Sequence, residues 1–232
     1  MDGLTIGGVT PLSTLDFPDA LAAVIYCQGC PWGCPYCHNA PLREITDQGE
    51  RDSASVLTWL EGRRGLLDAV VFSGGEPTLQ DGLADTMEAV QRLGFKVGLH
   101  TTGMYPEALE AILPLCDWVG LDIKAPRAAY ARITGVSGSG KAAFASLALL
   151  LRSGLPFEVR TTWHPGLLDE SELTVLAGEL AAAGADRWVI QAFRPNGCED
   201  PELVAAGPTL FPADLVSRLQ TAAPRLVIAT RV

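Results

Sequence analysis

Leu21-Ala-Ala-Val-Ile-Tyr-Cys27-Gln-Gly-Cys30-Pro-Trp-Gly-Cys34-Pro-Tyr-Cys37-His38-Asn39 joins two kinds of sequence at one point. Residues 21–26 form an apolar run, the pattern of a strand covered on both faces. The run then breaks into a loop punctuated by Gly29, Pro31, Gly33 and Pro35, with four cysteines within eleven residues. The same unit recurs along the chain. Further strands are expected at 68–72, 96–101, 118–123, 157–162 and 188–191. Polar groups follow each: 73–78, 101–103, Lys124, His164 and 191–194. Functional groups gathered at the C-terminal ends of several strands are the pattern of a barrel-type active site.

Helical spacing lies between the runs. Val56, Leu57 and Leu60 share a stripe within 53–64, and Leu83, Met87, Val90 and Leu93 share one within 82–93. Leu173, Leu176 and Leu180 do so within 171–183, and 106–113 and 142–151 supply two more helices. Strand and helix in alternation imply parallel strands with right-handed crossovers. The fold class is α/β, either an open doubly wound sheet or a partial barrel of six strand–helix units. No linker or repeat stands out, so residues 1–232 read as one domain.

Of the 232 residues, 48% are hydrophobic and 19% charged, a balance that builds a core. No apolar run approaches the roughly 20 residues of a membrane span. The opening Met1-Asp2-Gly3-Leu4 lacks the basic flank and apolar stretch of a signal peptide, so a cytoplasmic protein is expected. The net charge of −10, with no Lys/Arg cluster, excludes nucleic acid as an expected partner.

The cysteines are Cys27, Cys30, Cys34, Cys37, Cys116 and Cys198. Without a secretion signal, the crowding of the first four points to metal or redox chemistry more than to disulfides. Closely spaced thiolates hold iron–sulfur clusters. They also hold zinc, and the four could supply a zinc site, though three residues between the pairs is cramped for a tetrahedral ion. Cys27 reads as the end of a buried strand, and Cys116 and Cys198 as isolated thiols that bring no second cluster. The segment from Gly135 to Ala142 nearly spells a phosphate-binding loop, but Ala142 stands where that motif needs Ser or Thr. It reads as a loop capping the next helix.

Cys30-x3-Cys34-x2-Cys37, with an aromatic before the last cysteine, resembles the signature of the radical SAM superfamily. Ser73-Gly74-Gly75-Glu76-Pro77, after the second strand, resembles that family's GGEP motif. Features along nearly the whole chain are similar to those of glycyl radical enzyme activating proteins. They include Gly7-Gly8 to Pro18, Cys37-His38-Asn39, Asp122-Ile123-Lys124 and Arg160-Thr161-Thr162. The closest resemblance is to the activating proteins of anaerobic ribonucleoside-triphosphate reductase. The resemblance implies a partial (β/α)6 barrel of the radical SAM type. It implies one [4Fe–4S] cluster on Cys30, Cys34 and Cys37, with one iron left open for S-adenosylmethionine. It further implies an electron donor of the flavodoxin or ferredoxin type and, as partner, a glycyl radical enzyme whose backbone glycine gives up a hydrogen atom. The competing readings are a radical SAM enzyme acting on a small molecule, similar to a deazaguanine synthase, and a zinc or electron-transfer module.

The resemblance also assigns roles. Tyr36 and His38 are expected at the adenine. Gly75 is expected to let the ligand approach the backbone, and Glu76 to accept from the methionine ammonium. Asp122 and Lys124 share one side of their strand by alternation; Lys124 is expected at the nucleoside and Asp122 near the methionine carboxylate. Arg160 is expected to pair with a carboxylate, with Glu158 and Asp122 as structural alternatives. Gln191 is expected near the ribose. The scheme names no general acid or base. One departure stands out: relatives read Asp-Thr-Asn-Gly, the Asp binding a monovalent cation, where this chain reads His100-Thr101-Thr102-Gly103. Histidine is a poor ligand for an alkali cation. His100 is therefore expected to replace that cation as a charged partner of the methionine carboxylate.

Overall fold

A computed structural model describes residues 3–232; Met1 and Asp2, which begin the segment read as lacking a leader, lie outside the described residues. The strands are β1 (Ile6–Ser13), β2 (Ala22–Cys27), β3 (Ala69–Gly74), β4 (Lys96–Thr101), β5 (Trp118–Asp122), β6 (Phe157–Trp163), β7 (Arg187–Ala192) and β8 (Val227–Arg231). They form one sheet whose spatial order is the chain order. β1 pairs antiparallel with β2, and every later neighbour is parallel. β1 and β8 are the two ends of that order, so the barrel is open between them.

The six expected strands are β2 to β7. β1 and β8 extend the expected six-unit barrel at its two edges. β1 carries Gly7, Gly8 and Pro11 and slips register twice against β2, features an edge strand tolerates and an apolar pattern does not reveal. β8 is five residues long and mostly exposed or half-buried, so it too lacks an apolar run.

The helices are α1 (Ser53–Glu61), α2 (Leu83–Arg92), α3 (Pro106–Ile112), α4 (Tyr130–Thr134), α5 (Ser139–Ser153), α6 (Glu170–Ala183), α7 (Pro201–Ala206) and α8 (Leu215–Ala222). Their starts are chemically marked. Asp52 caps α1 by accepting from Ser55 N–H, and Asp169 with Glu172 forms a capping box on α6. The expected stripe of α2 is buried at Leu83, Met87 and Val90. The short α4, α7 and α8 were not expected from the pattern. Gly135 ends α4 and Gly138 precedes α5, both at positive φ, so the near phosphate loop joins two helices and follows no strand.

Two apolar layers result. The larger lies between the sheet and its helices. The smaller fills the lower end of the barrel with Phe17, Ala22, Val24, Ala69, Val71 and Trp118. Continuing the alternation upward from these inward residues gives Tyr26, Ser73, His100, Asp122 and Arg160. The barrel interior thus turns from apolar to polar toward the C-terminal strand ends. Among the described residues, no helix is long and apolar enough to cross a membrane.

Candidate functional site

Cys27 ends β2 fully buried, and the cysteine loop begins beyond it. The loop is held by backbone hydrogen bonds from several directions. Gly29 and Cys30 N–H donate to Leu42 and Arg43 carbonyls, and Gly33 N–H donates to the Thr134 carbonyl of α4 at 2.8 Å. The segment after β3 docks along its other side. Gly75 N–H donates to the Cys27 carbonyl and Glu76 N–H to the Gly29 carbonyl, each at 2.8 Å, while Asn39 Nδ2 donates to the Gly74 carbonyl at 3.1 Å. This docking explains Gly75: a Cβ there would lie 2.2 Å from the Gly29 carbonyl oxygen. The cysteine loop packs against Gly75, and Gly75 also lines the cavity beyond.

Cys30, Cys34 and Cys37 line that cavity, whose volume is about 130 Å³, together with Tyr36 and His38. Asp122 and Lys124 close it from the end of β5. Cys27 does not line it. Among the described residues, no three His, Cys, Asp or Glu side chains converge closely enough to share one metal ion. Three thiols spread around a cavity suit a polynuclear group better than a single ion. Burial pushes the Cys30 thiol up to about 11 and raises Cys34, while the Lys124 charge opposes both shifts. Soft metals bind the thiolate and displace such protons.

Lys124 Nζ lies 3.7 Å from Asp122 Oδ2 and 5.5 Å from the centre of the Tyr36 ring. Burial disfavours the ammonium, but Tyr36, Cys34 and Asp122 around it hold it charged, well above the ordinary lysine range. Burial likewise disfavours the Asp122 carboxylate, yet Arg160 and Lys124 hold it below its ordinary range. Arg160 Nε and one terminal nitrogen reach Asp122 Oδ1 at 3.0 and 2.9 Å. The guanidinium occupies the space above Gly120, where a Cβ would lie 2.6 Å from Arg160 Cζ. Of the alternatives for Arg160, Asp122 is its partner; Glu158 pairs with Arg231 and Arg187 instead.

Among the described residues, the Tyr36 hydroxyl and His38 Nε2 are buried without a hydrogen-bond partner. Burial and then the nearby Arg194 charge lower the pKa of His38, and its ring stacks on Phe193 at 5.6 Å. Two unpaired polar atoms on one cavity wall are what a polar ligand edge would satisfy.

The geometry differs from several expectations. The Glu76 carboxylate does not face the cavity. Its oxygens accept from Thr78 N–H and hydroxyl, the Thr101 hydroxyl, and Thr102 N–H and hydroxyl, and the residue is fully buried. His100 is not a cation. Burial, and next the charge of Arg160, lower its pKa to about 3, and Nε2–H donates to the Asp16 carbonyl at 2.9 Å. Gln191 stands on β7 but does not line the cavity. Cys198 is not isolated: its thiol donates to the Pro35 carbonyl at 3.3 Å and braces the cysteine loop. Cys116 is buried beyond α3. Trp32, Asn39, Thr102 and Thr162 also line the cavity, although no role was expected of them. Thr102 and Thr162 lie at the C-terminal ends of β4 and β6, the position that already marked the other groups.

Comparison with known proteins agrees with this arrangement. The sequence profile described as the Radical SAM superfamily matches residues 24–176. The putative glycyl-radical enzyme activating enzyme of Methanocaldococcus jannaschii is 30% identical over 206 residues, covering 85% of this chain and 83% of that protein. The pyruvate formate-lyase-activating enzyme of Streptococcus mutans is 30% identical over 173 residues, covering 67% and 64%. In fold, the chain is similar to Streptococcus suis SuiB bound to S-adenosylmethionine, with a TM-score of 0.67 at 15% identity. That match covers 90% of this chain and spans half of SuiB, 50% of its length. A profile that starts in β2 and runs through the cysteine loop, the β3 loop and β5 takes in the cavity just described, and the chain belongs to the radical SAM superfamily.

Proposed function

We propose that this chain, as one domain acting in the cytoplasm, is a radical SAM activase that takes a hydrogen atom from a backbone glycine of a partner glycyl radical enzyme. The observation that carries the reading is the grouping of Cys30, Cys34 and Cys37 with the buried Lys124 at the mouth of an open parallel barrel. The superfamily uses a [4Fe–4S] cluster and S-adenosylmethionine. When bound, they supply a reductive break of the sulfonium C–S bond and so the hydrogen-abstracting radical.

The chain's own residues do the rest. Cys30, Cys34 and Cys37 would hold the cluster, and Cys27 stands apart in the core. Lys124, kept charged by Asp122, offers donors to ligand oxygens, while Arg160 fixes Asp122. Tyr36 and His38 offer their unpaired atoms to the polar edge of the adenine. Trp32, buried between two cysteines and edge-on to Tyr130 at 5.8 Å, helps exclude water from the cavity. The gap between β1 and β8 leaves the barrel open for a loop of a protein substrate.

The relatives named as glycyl-radical enzyme and pyruvate formate-lyase activating enzymes support this substrate class. Within it, the partner we favour is anaerobic ribonucleoside-triphosphate reductase, with a flavodoxin or ferredoxin type donor. The test is anaerobic incubation with candidate glycyl radical enzymes, S-adenosylmethionine and reductant, read by the glycyl electron paramagnetic resonance signal. A signal with the reductase alone supports the full reading. Silence with every candidate, while methionine is still released, points to a small-molecule substrate. Zinc in place of iron and sulfide would sink the radical reading.

A further inference from the structure

The three strands nearest the gap align inward side chains at one level. Thr162 of β6 stands in register with Gln191 of β7, and Gln191 with Arg231 of β8. Register partners on parallel strands share a face of the sheet. Thr162 lines the cavity of the three cysteines, so all three side chains point into the barrel. The row runs from the cavity wall to the open edge of the sheet.

The three differ in what they are left to bind. Arg231 reaches Glu158, giving one terminal nitrogen to both carboxylate oxygens at 3.0 and 3.2 Å. Thr161, on the opposite face of β6, is fully engaged with the Ile123 carbonyl and Trp188 Nε1. Gln191 and Thr162, both half-buried, make no side-chain hydrogen bond among the described residues. Nothing on the wall below Gln191 is free to pair with it. Val189 stands two residues down, flanked by Ala229 and by Arg160, which Asp122 engages.

A carboxamide holds a donor and an acceptor side by side. That pair complements the N–H and C=O that one residue of an extended segment turns to the same side. The reaction proposed above brings a glycine of a partner chain to this cavity. Glycine offers no side chain to grip and has the widest backbone freedom, so its placement falls on the main chain around it.

We propose that Gln191 grips that main chain, with Nε2–H donating to a backbone carbonyl and Oε1 accepting from a backbone N–H beside the glycine. The inference rests on the activase reading above, and it moves Gln191 from the ribose to the peptide. The partner segment is then held at this point by its backbone, whatever side chains flank the glycine.

The experiment follows deuterium into 5′-deoxyadenosine from a seven-residue peptide centred on the radical glycine of anaerobic ribonucleoside-triphosphate reductase, with that glycine dideuterated. The reconstituted holo-protein is supplied with reductant and S-adenosylmethionine without oxygen. Gln191→Leu should raise the KM for the peptide by about 5- to 100-fold, the size of one or two hydrogen bonds. Its affinity for S-adenosylmethionine, measured by calorimetry on the oxidised holo-protein, should stay within about twofold of wild type. Two ester peptides, in which oxygen replaces the N–H of the residue before or after the glycine, locate the contact. One of them should cost the wild type about 3- to 10-fold in KM and leave Gln191→Leu indifferent. An unchanged peptide KM, a matching loss of S-adenosylmethionine affinity, or a wild type indifferent to both esters overturns the assignment and leaves the activase reading standing. No deuterium transfer by the wild type overturns both.

Discussion

His100 donates from Nε2 to the Asp16 carbonyl inside the barrel, and burial lowers its pKa from 6.5 to about 3. The unfolded chain therefore takes up a proton at His100 between these values while the folded chain does not. Its contribution is fully present above pH 6.5 and is lost progressively as pH falls toward 3. His100→Gln keeps a donor for Asp16 and removes the titration. Between about pH 7 and pH 5, wild type should lose roughly 2 kcal/mol more stability than this variant in urea unfolding. Equal losses would mean that His100 is protonated in the folded protein. The sequence could show that an alkali-cation ligand was missing here, but not which way the ring charges. Charge state depends on burial and on Arg160, and both are properties of the assembled barrel.

Two loops, one after β2 and one after β3, behave as one element. Gly75 and Glu76 N–H groups bind the Cys27 and Gly29 carbonyls, and Asn39 reaches back to Gly74. Gly75→Ala would force a Cβ to within 2.2 Å of the Gly29 oxygen. Overpacking of backbone against backbone should cost about 1–3 kcal/mol or more, seen as a lowered melting temperature. Iron incorporation should fall with it, because the displaced loop carries Cys30. An Ala variant of normal stability and iron content would show that the seam is not needed. The six central strands were legible because parallel strands buried on both faces leave apolar runs. The edges β1 and β8 were not, since half-exposed strands with Gly, Pro and charged residues leave none. That Cys30, Cys34 and Cys37 gather at one cavity was legible from spacing. Glu76 was legible as important and misread in direction, because a motif does not say which neighbour takes its lone pairs. Thr102 and Thr162 stood in quoted segments at strand ends, but nothing in those segments said that their side chains reach the cavity.

At the scale of the molecule, the sheet and its two apolar layers rest on strand and helix side chains away from the three cysteines. Stripping the cluster by chelation should therefore leave the far-ultraviolet circular dichroism of an α/β protein, in contrast to small zinc domains that unfold without metal. Loss of that spectrum would show that the cluster, rather than the sheet, organises the chain. The sheet order has a further consequence for synthesis. Each strand from β2 onward pairs with the strand made just before it, so the barrel can be laid down in step with the ribosome. The cysteine loop is made early yet finished late. Its Gly33 N–H waits for the Thr134 carbonyl, and its Pro35 carbonyl waits for the thiol of Cys198. A nascent chain thus carries the cysteine loop without either clasp until Thr134 and then Cys198 have been made and packed against it.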